Sequence, residues 1–151
     1  MRPISQQGFT LVELVVVIAI LAVLAAVAAP RFFSLQGEAR KSALNGLRAA
    51  VSSAAVMSNA LQSAQGLSPN ASITVEGNSI TMLNGWPNTV GATGLARVIQ
   101  FDSATFQTVG AASPMTFQVS SAATPANCSF TYTNATATVP ALVSTVVTSG
   151  C

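Results

Sequence analysis

The sequence has no histidine, one lysine, one tryptophan, one tyrosine and only two cysteines in 151 residues. Without histidine, the most frequent general base and the usual nitrogen ligand of zinc are both missing. Glu13, Glu38, Glu76 and Asp102 are the only carboxylate side chains and lie far apart in the chain. No nucleophile–base pair or carboxylate dyad can be drawn from them, so catalysis is not expected. Glu76 and Asp102 could meet around calcium, but two carboxylates are few for that ion, and solvated loop charges are the simpler reading. Cys128 and Cys151 are too few for a metal cluster; a disulfide between them is the simpler reading, and it requires an oxidising compartment. A net charge of +2 gives no broad field for nucleic acid. Nucleic acid, metal and cofactor are all unexpected.

What the chain has in abundance is apolar sequence. Sixteen consecutive residues from Leu14 to Ala29 carry no charge, and from Phe9 onward the stretch is twenty-one long with Glu13 as its one charge. As a helix it spans roughly 31 Å, about one bilayer core. Ala19, Ala22, Ala26 and Ala29 recur at three- and four-residue steps. They form either a stripe for close helix approach or a by-product of abundant alanine. A charge such as Glu13 inside a bilayer costs on the order of 2.5–3.5 kcal/mol even on the mildest insertion scale, so a partner is expected for it.

Pro30 cannot donate a hydrogen bond to the Ala26 carbonyl and disfavours helical geometry at Ala29, so it is expected to end or loosen the first helix; Gly37 is a second weak point. Helical pattern resumes with Leu44, Leu47, Val51, Ala54, Ser58 and Leu61 on one face, and stops at Gly66-Leu-Ser-Pro-Asn70. Arg31, Arg40, Lys41 and Arg48, offset by Glu38, read as a solvated helix face or as partners for carboxylates or lipid headgroups.

Beyond Asn70 the period falls to two. Ile73 and Val75, a turn at Glu76-Gly77-Asn78, and Ile80 with Met82 predict a hairpin. The stretch from Asn84 to Gly94 is loop chemistry, followed by one or two helical turns within Leu95–Phe101. Met115–Val119, Cys128–Thr133 and Val143–Val147 read as strands, the middle one turning Cys128, Phe130 and Tyr132 inward and Ser129, Thr131 and Thr133 outward. Trp86 beside Pro87 is read as pinning a loop to the core in preference to stacking on a sugar. Asn70-Ala-Ser72, Asn127-Cys-Ser129 and Asn134-Ala-Thr136 match the glycosylation sequon, a weak signal at three residues.

Residues 1–8, then Phe9-Thr-Leu-Val-Glu13, the apolar run and Pro30 resemble the leader and N-terminal helix of type IV pilins and of type II secretion pseudopilins. The resemblance implies that a prepilin peptidase cleaves after Gly8 and methylates the new terminus at Phe9. It also implies that Glu13 meets the Phe9 amine of a neighbouring copy during assembly. The expected partners are therefore identical subunits, the inner membrane before assembly, the pilus assembly machinery, and a surface or glycan target. The expected localisation is the inner membrane and then an extracellular pilus of a Gram-negative bacterium. The expected fold is α+β, a long N-terminal helix packed on a C-terminal antiparallel sheet: leader 1–8, apolar helix 9–30, amphipathic half 31–66 and sheet domain 67–151 with its disulfide loop.

Two other readings remain open on sequence. One is a pseudopilin of a secretion apparatus. The other is a soluble exported binding domain, because Arg2, the apolar run and Ala26-Val27-Ala28 imitate an ordinary signal peptide with its cleavage site. Against the latter stand Glu13 and the amphipathic helix beyond Pro30, which a soluble product would have to bury by itself.

Overall fold

The structure is a computed structural model that describes residues 9–90 and 93–151. The expected leader 1–8, with its cleavage residue Gly8, lies outside the described residues. Two compact units divide the chain, one ending at Gln36 and the other running Gly37–Cys151. Helix α1, Leu11–Ala64, belongs to both. The fold is α+β, a long apolar N-terminal helix followed by antiparallel sheets, the pilin-like arrangement.

The helix does not end at Pro30, which lies inside α1. A proline within a helix removes one backbone hydrogen bond, and the alanine- and leucine-containing turns on either side retain theirs.

In the second unit the helix buries Leu44, Leu47, Val51, Ala55, Ser58 and Gln62. The expected Ala54 and Leu61 are partly buried and pack against the core, and Ala55 and Gln62 join the buried face beside them. A strict heptad drifts by about 20° per repeat against a true helix, so over two repeats the expected positions slide toward the edge of the buried face. Gln62 is accepted there because its Nε2 donates to the carbonyls of Ser68 (3.0 Å) and Ala71 (2.7 Å), closing the turn after the helix.

Strands β1, Ile73–Val75, and β2, Asn78–Ile80, form the expected hairpin, with Val75 opposite Asn78. The two turn residues Glu76 and Gly77 stand at φ 49° and 77°, the left-handed pair that a two-residue hairpin loop requires. A second small hairpin joins β3, Met82–Leu83, to β4, Trp86–Pro87. Its turn, Asn84-Gly85, also has both φ positive. A single turn, α2, covers Leu95–Val98. The larger sheet has the order β5-β6-β7-β8, all antiparallel: Phe106–Val109, Met115–Val119, Ser129–Thr133 and Leu142–Val143.

The core lies between this sheet and α1. Phe117 and Phe130 stack with centroids 5.1 Å apart, and Phe101 meets Phe117 edge-on at 6.0 Å. Tyr132 is fully buried, and its hydroxyl donates to the Pro87 carbonyl at 2.9 Å. Burial pushes its phenol well above the ordinary range, so that donor persists at any physiological pH. Cys128, Phe130 and Tyr132 face the core, as their alternation predicts. Ser129 departs from the expected outward face and is buried, because the C-terminal segment pairs across it at Val147 and its hydroxyl donates to Ala126.

Cys128 and Cys151 are joined, with Cα atoms 4.8 Å apart. The loop so closed is latched to α1 by two arginines. Arg40 donates to the Cys151 carbonyl at 3.1 Å, and Arg48 to the Ser144 carbonyl at 2.6 Å. Lys41 pairs with Glu38 at 2.7 Å. Two of the four basic residues thus serve backbone carbonyls of their own unit, neither carboxylates nor a solvated face. Hydrogen bonds to charged donors contribute about 1.5–3 kcal/mol each, which helps hold a strand-poor segment onto the helix.

Gln62→Leu tests the buried register. It places a more apolar residue on the core face yet removes the donor to the Ala71 carbonyl, while the Ser68 carbonyl keeps the Ala71 N–H, so urea unfolding should show a loss of about 1–3 kcal/mol. Unchanged stability would mean that the glutamine is not needed to satisfy the Ala71 carbonyl.

Candidate functional site

In the first unit the helix keeps its apolar side chains exposed among the described residues. From Leu11 to Val27 its large apolar side chains are between 48 and 77 % exposed. α1 is long and apolar enough to cross a membrane, and none of its most apolar window is buried within the chain. Ala19, Ala22, Ala26 and Ala29 are exposed along with their larger neighbours, so any helix they admit would come from outside the chain.

The residue types explain why this segment is a site and not merely a helix. Val12, Val15, Val16, Val17, Ile18, Ile20, Val23 and Val27 are β-branched and only modest helix formers in water. In hydrocarbon or inside a helix bundle the backbone has no other partner, and the helix is the one local conformation that satisfies every N–H and C=O. Sequence and conformation agree when water is excluded.

Glu13 has a partner within its own turn. The Thr10 backbone N–H donates to Glu13 Oε2 at 2.9 Å, the Thr10 hydroxyl donates to the same oxygen at 2.8 Å, and the Glu13 N–H donates to Thr10 Oγ1 at 3.3 Å. This is a capping box: Thr10 stands at the N-cap of α1 and Glu13 at the third helical position, each satisfying a donor that the helix start would otherwise leave open. The negative charge also lies at the positive end of the helix dipole. Thr10 was not among the expected site residues, although Thr10-Leu-Val-Glu13 is the T-x-x-E pattern that announces such a box before an apolar run.

Phe9 lies just before the helix and is 85 % exposed. The structure therefore brings Phe9, Thr10 and Glu13 to one end of the apolar surface. Residues 4–29 match the family model described as the prokaryotic N-terminal methylation motif. The chain carries a type IV pilin-like prepilin leader. The match places Gly8, Phe9 and Glu13 inside the motif, and it indicates a precursor of the pilin and pseudopilin class, handled by a prepilin peptidase and a pilus-type assembly machinery. That leader and the apolar helix fit a membrane-anchored prepilin. No curated protein and no solved structure matches the chain.

The other candidates fall elsewhere. Trp86 is half-buried against the main core and lines a cavity of about 250 Å³ with Arg48, Tyr132 and Leu142. The Asp102 carboxylate accepts from the Thr105 hydroxyl at 2.6 Å and the Ala104 N–H at 3.0 Å, bonds that hold it below the usual carboxylate range. Among the described residues no three Asp, Glu, Cys or His side chains converge as metal ligands, Glu76 and Asp102 included. Asn70 and Asn134 turn their side-chain oxygens onto the backbone N–H groups of Asn84 and Thr89.

Thr10→Val removes the hydroxyl of the box. A lost N-cap costs about 1 kcal/mol, so amides in the first turn of α1 should exchange roughly fivefold faster in micelles. Glu13→Gln, which the box accepts at that position, should leave exchange nearly unchanged. Equal exchange in Thr10→Val and wild type would contradict the cap.

Proposed function

We propose that the chain is a non-enzymatic structural subunit that polymerises through its N-terminal helix into an extracellular type IV pilus used for attachment. The observation that carries this reading is the apolar face from Leu11 to Val27, which lies within the methylation motif and is exposed among the described residues. Burying each such side chain is worth about 1.5–3 kcal/mol, first in the bilayer and then among the helices of identical subunits. Pro30-Arg-Phe-Phe33, Asn84-Gly-Trp-Pro87 and the paired cysteines look most like the major pilin of mannose-sensitive haemagglutinin pili. A pseudopilin shares the same leader; the disulfide near the C-terminus favours the pilin.

In this reading cleavage after Gly8 creates an amine at Phe9, and the Glu13 carboxylate of a neighbouring copy receives it. Both groups are desolvated, so the pair adds little net stability but penalises any register that leaves one of them alone. The capping box gives Glu13 a resting place before assembly, since its carboxylate is already held at the helix end by Thr10.

Glu13→Gln separates the charge from the cap. It should leave membrane insertion and processing intact and lower the yield of sheared surface fibres by at least about tenfold, the factor expected when one partner of a buried pair is removed. Normal fibre yield would show that the carboxylate is not used in docking.

A further inference from the structure

Almost every charged side chain among the described residues is engaged. Glu13 is held by Thr10, Glu38 by Lys41, and Asp102 by Thr105 and Ala104. Arg40 and Arg48 hold carbonyls of the C-terminal segment, and Arg97 donates to Asn78. Two side chains of opposite sign remain without a hydrogen bond or ion pair, Arg31 and Glu76.

Each has an apolar companion. Arg31 precedes Phe32, which is 66 % exposed. Glu76 stands on a groove of about 370 Å³ whose walls include Met57 and Leu61 of α1, Val75 of β1, and Arg97 and Val98. Met57 is 71 % exposed at its edge. The groove lies wholly within the second unit and is large enough for a phenyl ring.

The position of Glu76 adds a second observation. It occupies the first turn residue of the β1–β2 hairpin at φ 49°, where asparagine or glycine is favoured and a longer side chain is strained. A carboxylate has been placed where the backbone resists it, while the following hairpin in the same chain uses Asn84-Gly85. Backbone cost at one exposed position suggests a use for the side chain.

We propose that Arg31 and Phe32 of one copy dock on this groove of a second copy, with the Phe32 ring among Met57, Leu61 and Val98 and the Arg31 guanidinium on the Glu76 carboxylate. The inference rests on the polymer reading above. The two surfaces are different, so the contact is heterologous and each copy can offer one and receive the other; such contacts add copies without closing the assembly on itself. Arg97 also lines the groove and partly offsets the pull of Glu76 on a second cation. The pair therefore sets register and partner choice more than affinity, as charges at an interface rim do.

The test uses the full chain in fibre-producing cells, with the membrane pool and the sheared fibres quantified separately. Arg31→Glu and Glu76→Arg should each lower fibre yield by roughly tenfold with the membrane pool unchanged, and the double exchange should restore it to within about threefold. Single substitutions without effect, or a double variant no better than either single one, would overturn the pairing. Loss of the membrane pool in Arg31→Glu would assign Arg31 to lipid headgroups and overturn it equally. Glu76→Gly separates docking from folding: it relaxes the turn, so the thermal midpoint should rise by a few degrees while fibre yield falls. A fibre yield that stays normal in Glu76→Gly refutes the role of the carboxylate. Arg31→Cys combined with Glu76→Cys should give a ladder of cross-linked copies in fibres, since both native cysteines are already joined. Fibres without a ladder would refute this contact alone. A wild type that makes no fibres would refute the polymer reading and this contact with it.

Discussion

The constraint on which the molecule depends is an apolar helix that its own chain does not cover. A soluble helix hides one stripe of apolar residues and shows the other face to water. Between Leu11 and Val27 there is no second face to show, and among the described residues all of its large apolar side chains are exposed. With each Val, Leu or Ile worth about 1.5–3 kcal/mol on burial, exposure of the whole segment to water would exceed the stability of an ordinary small domain. The segment is stable only inside something else, and the two environments that fit its length and composition are a bilayer and a bundle of its own kind.

That constraint explains the economy of the rest. In the second unit a disulfide closes the C-terminal loop, an aromatic stack joins neighbouring strands, and two arginines of α1 latch that loop to the helix. The start of the helix needs its own device, because the open N–H groups there would face hydrocarbon unsatisfied. Thr10 and Glu13 supply it. Glu13 is held by the cap within its own turn, and in the polymer reading proposed above it has a second setting, against an amine brought by another copy. A carboxylate already ordered and hydrogen-bonded loses less freedom on meeting that amine than a mobile one would.

Much of this was legible in the sequence, and the misses have physical causes. The apolar run, the amphipathic half, the first hairpin and strands β6 and β7 follow directly from periodicity. Ala54 and Leu61 lie at the edge of the buried face because a heptad count drifts on a helix of longer period, and the burial of Gln62 rests on two loop carbonyls that no sequence pattern marks. Strand β5 has no clear sequence signal: Phe106-Gln-Thr-Val109 is a short edge strand with only Phe106 partly buried, and such strands carry little alternation. The hairpin around Asn84-Gly85 was absorbed into a loop although that dipeptide is a strong turn signal, since strands of two residues leave no pattern on either side. Arg40 and Arg48 were unreadable because their partners, the carbonyls of Cys151 and Ser144, have no side-chain identity in a sequence. The capping box is legible as Thr10-Leu-Val-Glu13, a pattern whose carboxylate needs no distant cation at the helix start.

The measurement that bears most directly on the uncovered helix is the intact mass of the subunit released from sheared surface fibres. The account predicts a chain that has lost the eight residues through Gly8, begins at an N-methylated Phe9, retains the whole apolar segment, and keeps Cys128 and Cys151 joined. A surface form that has instead lost its first twenty-eight residues, cut after Ala28, would have discarded that segment, and the helix could not then be what holds the polymer together.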